Sequence, residues 1–140
     1  MATLDEQAAS AQTTIGLEIN DGFDEVIEWD LPRIGVTLDV GHMYAPAQAD
    51  VLPRYGGLGG LARHLGPALV HLHLHDTDGD TDHFEVGTGI VDFEGLAEAL
   101  AEIGYPHNAT LEMNPDRCSP EGIVRGAAYL RALFDEAGLR

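Results

Sequence analysis

The stretch Val70-His71-Leu72-His73-Leu74-His75-Asp76 places three histidines in alternation with two leucines. Imidazole carries protons and binds metals near neutral pH, so the row is chemically suggestive. Alternation is the period of a β-strand, whose successive side chains point to opposite faces. The leucines would then pack beneath a covering layer, and the three imidazoles would share the other face. Inward imidazoles are costly unless something polar meets them. A metal ion would serve, but it cannot take all three. Same-face neighbours on a strand sit about 6.6 Å apart, so His71 and His75 lie about 13 Å apart. One ion with bonds of about 2.0–2.2 Å reaches one of them. His73, at strand-end depth just before His75 and Asp76, is the expected ligand. His71 and His75 are left to line or support the site.

Three further segments offer matching ligands. Thr14-Ile15-Gly16-Leu17-Glu18-Ile19 reads as a strand with Ile15, Leu17 and Ile19 on one face and Glu18 on the other. Gly35-Val36-Thr37-Leu38-Asp39-Val40 repeats the pattern with Asp39 on the polar face, and Ala109-Thr110-Leu111-Glu112-Met113 repeats it with Glu112. Each polar parity thus ends, near the strand's C-terminus, in a residue able to bind metal: Glu18, Asp39, His73 and Glu112. Ligand sites of parallel α/β sheets lie at that end of the strands. Buried carboxylates need a cation. Three carboxylates and one imidazole suit a divalent ion such as Mn²⁺, Mg²⁺, Co²⁺ or Zn²⁺.

The intervening segments must hold these strands in place. Residues 4–12 read as a short helix or frayed tail, and residues 21–31 as a short helix stopped at Pro32. Residues 43–57, with Pro46, Pro53 and Gly56-Gly57, read as a long loop. Leu58 to Leu65 is expected to be helical and to end at Gly66-Pro67. Residues 76–89 read as a polar loop. Asp92 should cap a helix to about Ile103, stopped at Gly104. Ser119-Pro120-Glu121 carries the signals of a helix start, and Gly138 those of its stop. Strand and helix alternate four times, which demands parallel strands, right-handed crossovers and an α/β domain. Residues 1–140 read as a single domain.

Composition narrows the partners. The formal net charge is -17, and every basic residue is arginine. Such a surface repels nucleic acid and anionic membranes and suits solubility in high salt. Cys118 is the one cysteine, so no intrachain disulfide or thiolate cluster can form. No apolar run is long enough to span a membrane, and Met1 to Thr14 lacks the features of a signal peptide. A cytoplasmic location is the expectation. Asp76 to Asp82 places oxygens at alternate positions, but an EF-hand loop counted from Asp76 would need glycine where Thr81 stands and glutamate where Gly87 stands. A solvated acidic loop is the better reading.

Leu38-Asp39-Val40-Gly41-His42, His73-Leu74-His75-Asp76, Asp82-His83 ahead of Gly87-Thr88-Gly89, and Leu111-Glu112 together resemble the xylose isomerase-like TIM-barrel superfamily over residues 14–136. That group contains sugar and sugar-phosphate isomerases and epimerases, inosose dehydratases and endonuclease-IV-like enzymes. The resemblance implies that Glu18, Asp39, His73 and Glu112 bind one metal, as in the single-metal epimerases. It also implies that Glu18 and Glu112 are the acid–base pair moving a proton next to a carbonyl. His42 would contact substrate or a second metal, and His83 would do likewise or hold its loop; His75, left by strand spacing to line the site, is the third expected substrate contact. The expected substrate is a small sugar or sugar phosphate. Epimerases of this group often carry a substrate-binding arginine after the histidine strand, where this chain has Thr77-Asp78-Gly79.

About four strands answer to the C-terminal half of an eight-stranded barrel, so the fold expected is a partial TIM barrel. Its edges would be open, and a second copy or an N-terminal half-barrel could complete it. The competing readings are a metal-dependent DNA-repair endonuclease, which the acidic charge opposes, and an inactive fragment or subunit of a split barrel.

Overall fold

A computed structural model describes residues 1–139. Four strands form one parallel sheet in sequence order: β1 (Ile15–Glu18), β2 (Ile34–Asp39), β3 (Leu69–Leu74) and β4 (Ala109–Leu111). The helices are α1 (Ala2–Ser10), α2 (Phe23–Glu28), α3 (Val51–Tyr55), α4 (Leu58–Leu65), α5 (Phe93–Ile103) and α6 (Pro120–Ala137). Consecutive parallel neighbours joined by helices make the α/β arrangement of one side of a TIM barrel, and the sheet is open at β1 and β4 among the described residues.

The local signals operate as expected. The Asp92 side chain accepts from Gly95 N and caps α5, and Gly104 ends it in the left-handed conformation at φ 63°. The Ser119 hydroxyl accepts from Gly122 N, with Pro120 in the first turn of α6. Helices α4, α5 and α6 bury Leu58, Leu61, Leu65, Leu96, Leu100 and Leu130 against Val36, Leu38, Leu72 and Leu74 of the sheet. The apolar parity of the strands therefore faces the helices. That leaves Glu18, Asp39 and His73 on the opposite face.

Three departures from the pattern have clear causes. The region 43–57 is not an open loop. It folds into two single 3₁₀ turns at His42–Tyr44 and Pro46–Gln48, followed by α3. Pro53 is tolerated there because it stands in the first turn, where a backbone N–H has no intrahelical acceptor. Strands β3 and β4 are shorter than their apolar patterns, so His75 and Glu112 lie just past them. Glu112 N still donates to Leu74 O at 3.0 Å and continues the ladder. Finally, β3 bulges: Val36 pairs with Leu69, but Thr37 pairs with His71.

The bulge explains Gly35. It turns Val70 onto the same face as the histidines, over Gly16 and Gly35. A Cβ on Gly35 would stand 2.5 Å from both Ala68 O and Val70 Cγ1. A backbone carbonyl cannot easily give way. Gly35→Ala is expected to cost about 1–3 kcal/mol, the usual penalty for overpacking. Urea unfolding checks this, and an unchanged midpoint would mean that the bulge relaxes freely.

Candidate metal centre

Strand register decides which polar residues meet. Asp39 pairs with His73, while Glu18 pairs with Thr37 one level below. Thr110 pairs with His73, so Glu112 projects from a level above. The tight set is Glu18, Asp39 and His73, whose ligand atoms lie within 4.8 Å of one another. Glu112 joins from the His73 side: its Oε2 is 2.8 Å from His73 Nδ1. Glu18 Oε2 is 3.3 Å from that nitrogen, and Asp39 Oδ2 is 3.9 Å from it.

Two atoms in this set are left without hydrogen-bond partners although buried: Asp39 Oδ2 and His73 Nδ1. The carboxylates near Nδ1 lie at contact distance but without hydrogen-bond geometry. An unsatisfied buried polar group costs about 1–3 kcal/mol. Here two face a common space ringed by carboxylates. A divalent cation satisfies both at once, and the oxygen-rich donor set with one imidazole fits such an ion.

A second group, Asp39, His42, His75 and His83, is also close enough to hold an ion. Its donors are largely spent on each other. Asp39 Oδ1 accepts from His42 N at 3.0 Å and pairs with His75 Nε2 at 2.8 Å. His75 Nδ1 accepts from His83 N at 2.9 Å. Asp39 thus stands between the two groups, with Oδ1 twice hydrogen-bonded and Oδ2 without a hydrogen bond.

The comparisons with known proteins now apply. A family model described as xylose isomerase-like TIM barrel matches residues 5–133. The chain belongs to the xylose isomerase-like TIM-barrel family. An uncharacterised protein of Methanocaldococcus jannaschii is 26% identical over 109 residues, covering 76% of this chain and 35% of that protein. A solved structure of L-ribulose 3-epimerase superposes with a TM-score of 0.73 at 19% identity, covering 97% of this chain and 52% of that one. The IOLI protein with a bound zinc atom superposes at 0.60 with 20% identity, covering 97% of this chain and 51% of that one. Other solved neighbours are likewise sugar epimerases. The chain spans about half the length of these solved structures and 35% of the M. jannaschii protein.

Within this family frame, electrostatics follow the geometry. Burial pulls the Asp39 carboxyl up, but the hydrogen bonds from His75 and His42 N–H outweigh it and leave its pKa below the ordinary value. Burial likewise disfavours a charged His75, and the Asp39 hydrogen bond and charge reverse that to a net rise. Nδ1 of the ring lies between the His83 N–H, at 2.9 Å, and the Asp76 carbonyl oxygen, at 3.2 Å. Burial and the neighbouring His73 lower the pKa of His71, whose Nε2 lies 2.9 Å from Thr110 Oγ1.

The residues singled out in the sequence fall into three places. Glu18, Asp39 and His73 converge, and Glu112 adjoins them. His42 and His83 flank the mouth, each about a quarter exposed. His42 lies 3.3 Å from Asp39 Oδ2 and 3.5 Å from Asp82 Oδ2. His75 is a correction. With no exposed surface, it cannot touch a substrate and lies beneath Asp39 instead.

The loop 76–91 holds what the sequence reading missed. Asp82 stays partly exposed, as expected of a solvated loop, but it also approaches His42, His83 and Arg117. The His83 imidazole beside it holds its carboxyl below the ordinary range. Asp76 was read as part of the same acidic run, yet it is buried. Its side chain receives the backbone N–H groups of Thr77, Gly87, Gly89 and Val91. Asp78 spends Oδ1 on Asp80 N and Thr81 N. This segment ties itself together through its own backbone. The one available signal was the dipeptide Asp82-His83, a ligand type next to a ligand type.

Proposed function

We propose that this chain holds one divalent metal ion on Glu18, Asp39, His73 and Glu112 and carries the metal-binding half of a sugar or sugar-phosphate isomerase or epimerase. The observation that carries this reading is the pair of buried, partnerless ligand atoms, Asp39 Oδ2 and His73 Nδ1, inside a ring of carboxylates. When bound, the ion polarises carbonyl and hydroxyl oxygens of a sugar and so eases removal of a proton from the adjacent carbon. Mn²⁺, Mg²⁺, Co²⁺ and Zn²⁺ all suit the donors.

Glu18 and Glu112 supply the proton chemistry in this reading. Their side chains are 44% and 45% exposed, so each carboxylate presents an oxygen to the open face while still approaching His73. One would take the proton and the other return it, which inverts the carbon or moves the carbonyl. Asp39 is buried and serves only to bind. His42 and His83 at the mouth would orient sugar hydroxyls, and His83 also holds its loop against His75. The net charge of -17 argues against a DNA backbone as substrate.

The chain corresponds, in the same reading, to the C-terminal half of a barrel. Support comes from solved neighbours about twice its length and from the open edges at β1 and β4. An apolar groove lined by Leu72, Leu111, Leu130 and Phe134 runs beside β4. A preceding half-barrel, or a second copy of this chain, would cover these edges and complete the substrate pocket. Among the described residues no helix is long and apolar enough to cross a membrane.

The test combines metal content with proton exchange. Plasma mass spectrometry should find about one divalent ion per chain, and Glu112→Gln should weaken its retention. A sugar and sugar-phosphate panel in D₂O should show deuterium entering at one carbon. Glu112→Gln should cut that rate by about 10²–10⁴-fold, the usual contribution of a general acid or base. Metal content unaffected by the substitution would remove Glu112 from the ligand set. A native chain that binds no divalent ion would end this reading.

A further inference from the structure

His75 is the one fully enclosed imidazole of the chain's histidine row, and the proposed chemistry makes no direct use of it. Every polar atom of its ring is nevertheless engaged. The backbone N–H of His83 donates to Nδ1 at 2.9 Å. An N–H is an unambiguous donor, so its shorter contact makes Nδ1 the acceptor over the competing Asp76 carbonyl oxygen 3.2 Å away, and the Asp39 carboxylate, which only accepts, calls for the proton on Nε2. That Nε2–H lies 2.8 Å from Asp39 Oδ1 and donates to it. The ring is also held on its faces. His83 stacks on it, with centroids 3.9 Å apart and planes 7° from parallel. Gly41 leaves room beside it: a Cβ there would stand 2.1 Å from His75 Cε1. Gly41 has φ -71° and ψ -38°, a backbone open to any residue, so only the ring explains the glycine. His83 itself sits at φ 60°, unusual for a side chain that is not glycine. That conformation belongs to the residue whose N–H meets Nδ1.

Resting on the reading above, we infer that His75 is a positioning residue: its Nε2–H grips Asp39 Oδ1 so that Oδ2 stays turned toward His73, and the His83 backbone fixes the tautomer this requires. His42 N–H shares the grip on Oδ1. The asymmetry of its two oxygens, one doubly bonded and one partnerless, is the structural mark of the arrangement.

Two measurements test it. The first is metal affinity by calorimetry with Mn²⁺ and Zn²⁺ alone, without sugar. His75→Leu, which keeps bulk and loses the donor, should weaken binding by about 10–100-fold, as removal of a ligand's supporting hydrogen bond does elsewhere. His75→Gln, whose amide nitrogen can reach the Nε2 position, should recover most of that loss. The second is the ¹⁵N spectrum of the native metal-free chain, which should show His75 protonated at Nε2 and bare at Nδ1. Native-like metal affinity in folded His75→Leu would overturn the role, and so would His75→Gln binding as poorly as His75→Leu. A proton on Nδ1 would overturn the tautomer even if His75→Leu fails to fold. A native chain that binds neither ion defeats the metal centre itself, whereas tight native binding unaffected by His75→Leu defeats only this inference.

Discussion

Asp39→Asn is expected to lower divalent-metal affinity by at least about 100-fold while leaving the fold intact. The substitution is nearly isosteric. The amide oxygen can still accept from His42 N and His75 Nε2, the two partners of Oδ1. What changes is the partnerless atom, where an NH₂ replaces Oδ2. An amide nitrogen has no free lone pair for a cation, and its hydrogens would point at the ion. The site also loses a buried negative charge, the property that makes a cation favourable there. Calorimetric titration with Mn²⁺ or Zn²⁺ measures the loss. Urea unfolding of the metal-free variant should stay within about 1–2 kcal/mol of the native chain, since packing and both accepted hydrogen bonds persist. Affinity within tenfold of native would place the ion elsewhere.

Asp76→Ala is expected to produce the largest loss of stability, about 3–5 kcal/mol. Asp76 Oδ1 accepts from Thr77 N at 2.9 Å and Val91 N at 3.1 Å. Its Oδ2 accepts from Gly87 N at 2.9 Å and Gly89 N at 2.8 Å. Each N–H left unmet in the interior costs about 1–3 kcal/mol, and entering water offsets part of the sum. Gly89 is crowded against this hub, for a Cβ there would stand 2.2 Å from Thr77 O. The loop so fastened carries Asp82 and His83, so its release should also free the His83 N–H from His75. Equilibrium urea unfolding, with hydrogen exchange at Gly87 and Gly89, checks both effects. A loss under about 1 kcal/mol would show that the loop is held by other means.

Local chemistry made much of the architecture legible. The caps at Asp92 and Ser119 and the stops at Gly104 and Gly138 act through their immediate neighbours, and each sits where the sequence placed it. The stretch from Val51 to Tyr55 was misread because proline and glycine mark turns, and a proline in a first helical turn leaves the same trace. Asp76 escapes the sequence reading for a related reason. It belongs to a run of acids whose composition is that of a solvated loop. It turns into the interior, and backbone amides up to fifteen residues away in sequence decide this.

The sequence by itself determined that strands alternate with helices, that their apolar parity faces the helices, and that Glu18, Asp39, His73 and Glu112 share the other face. Those properties follow from period and turn chemistry, which are local. Only the tertiary structure decided depth and distance. Asp39 stands level with His73 because β2 and β3 pair after a bulge at Val70, and Glu18 and Glu112 come from the levels on either side. That register is set by packing between strands far apart in the chain. The same packing turned one histidine of the row into a ligand-type atom without a partner and another into a buried donor to Asp39. Alternation gave His73 and His75 the same side of the strand. A neighbouring strand, a glycine and a loop backbone gave them different work.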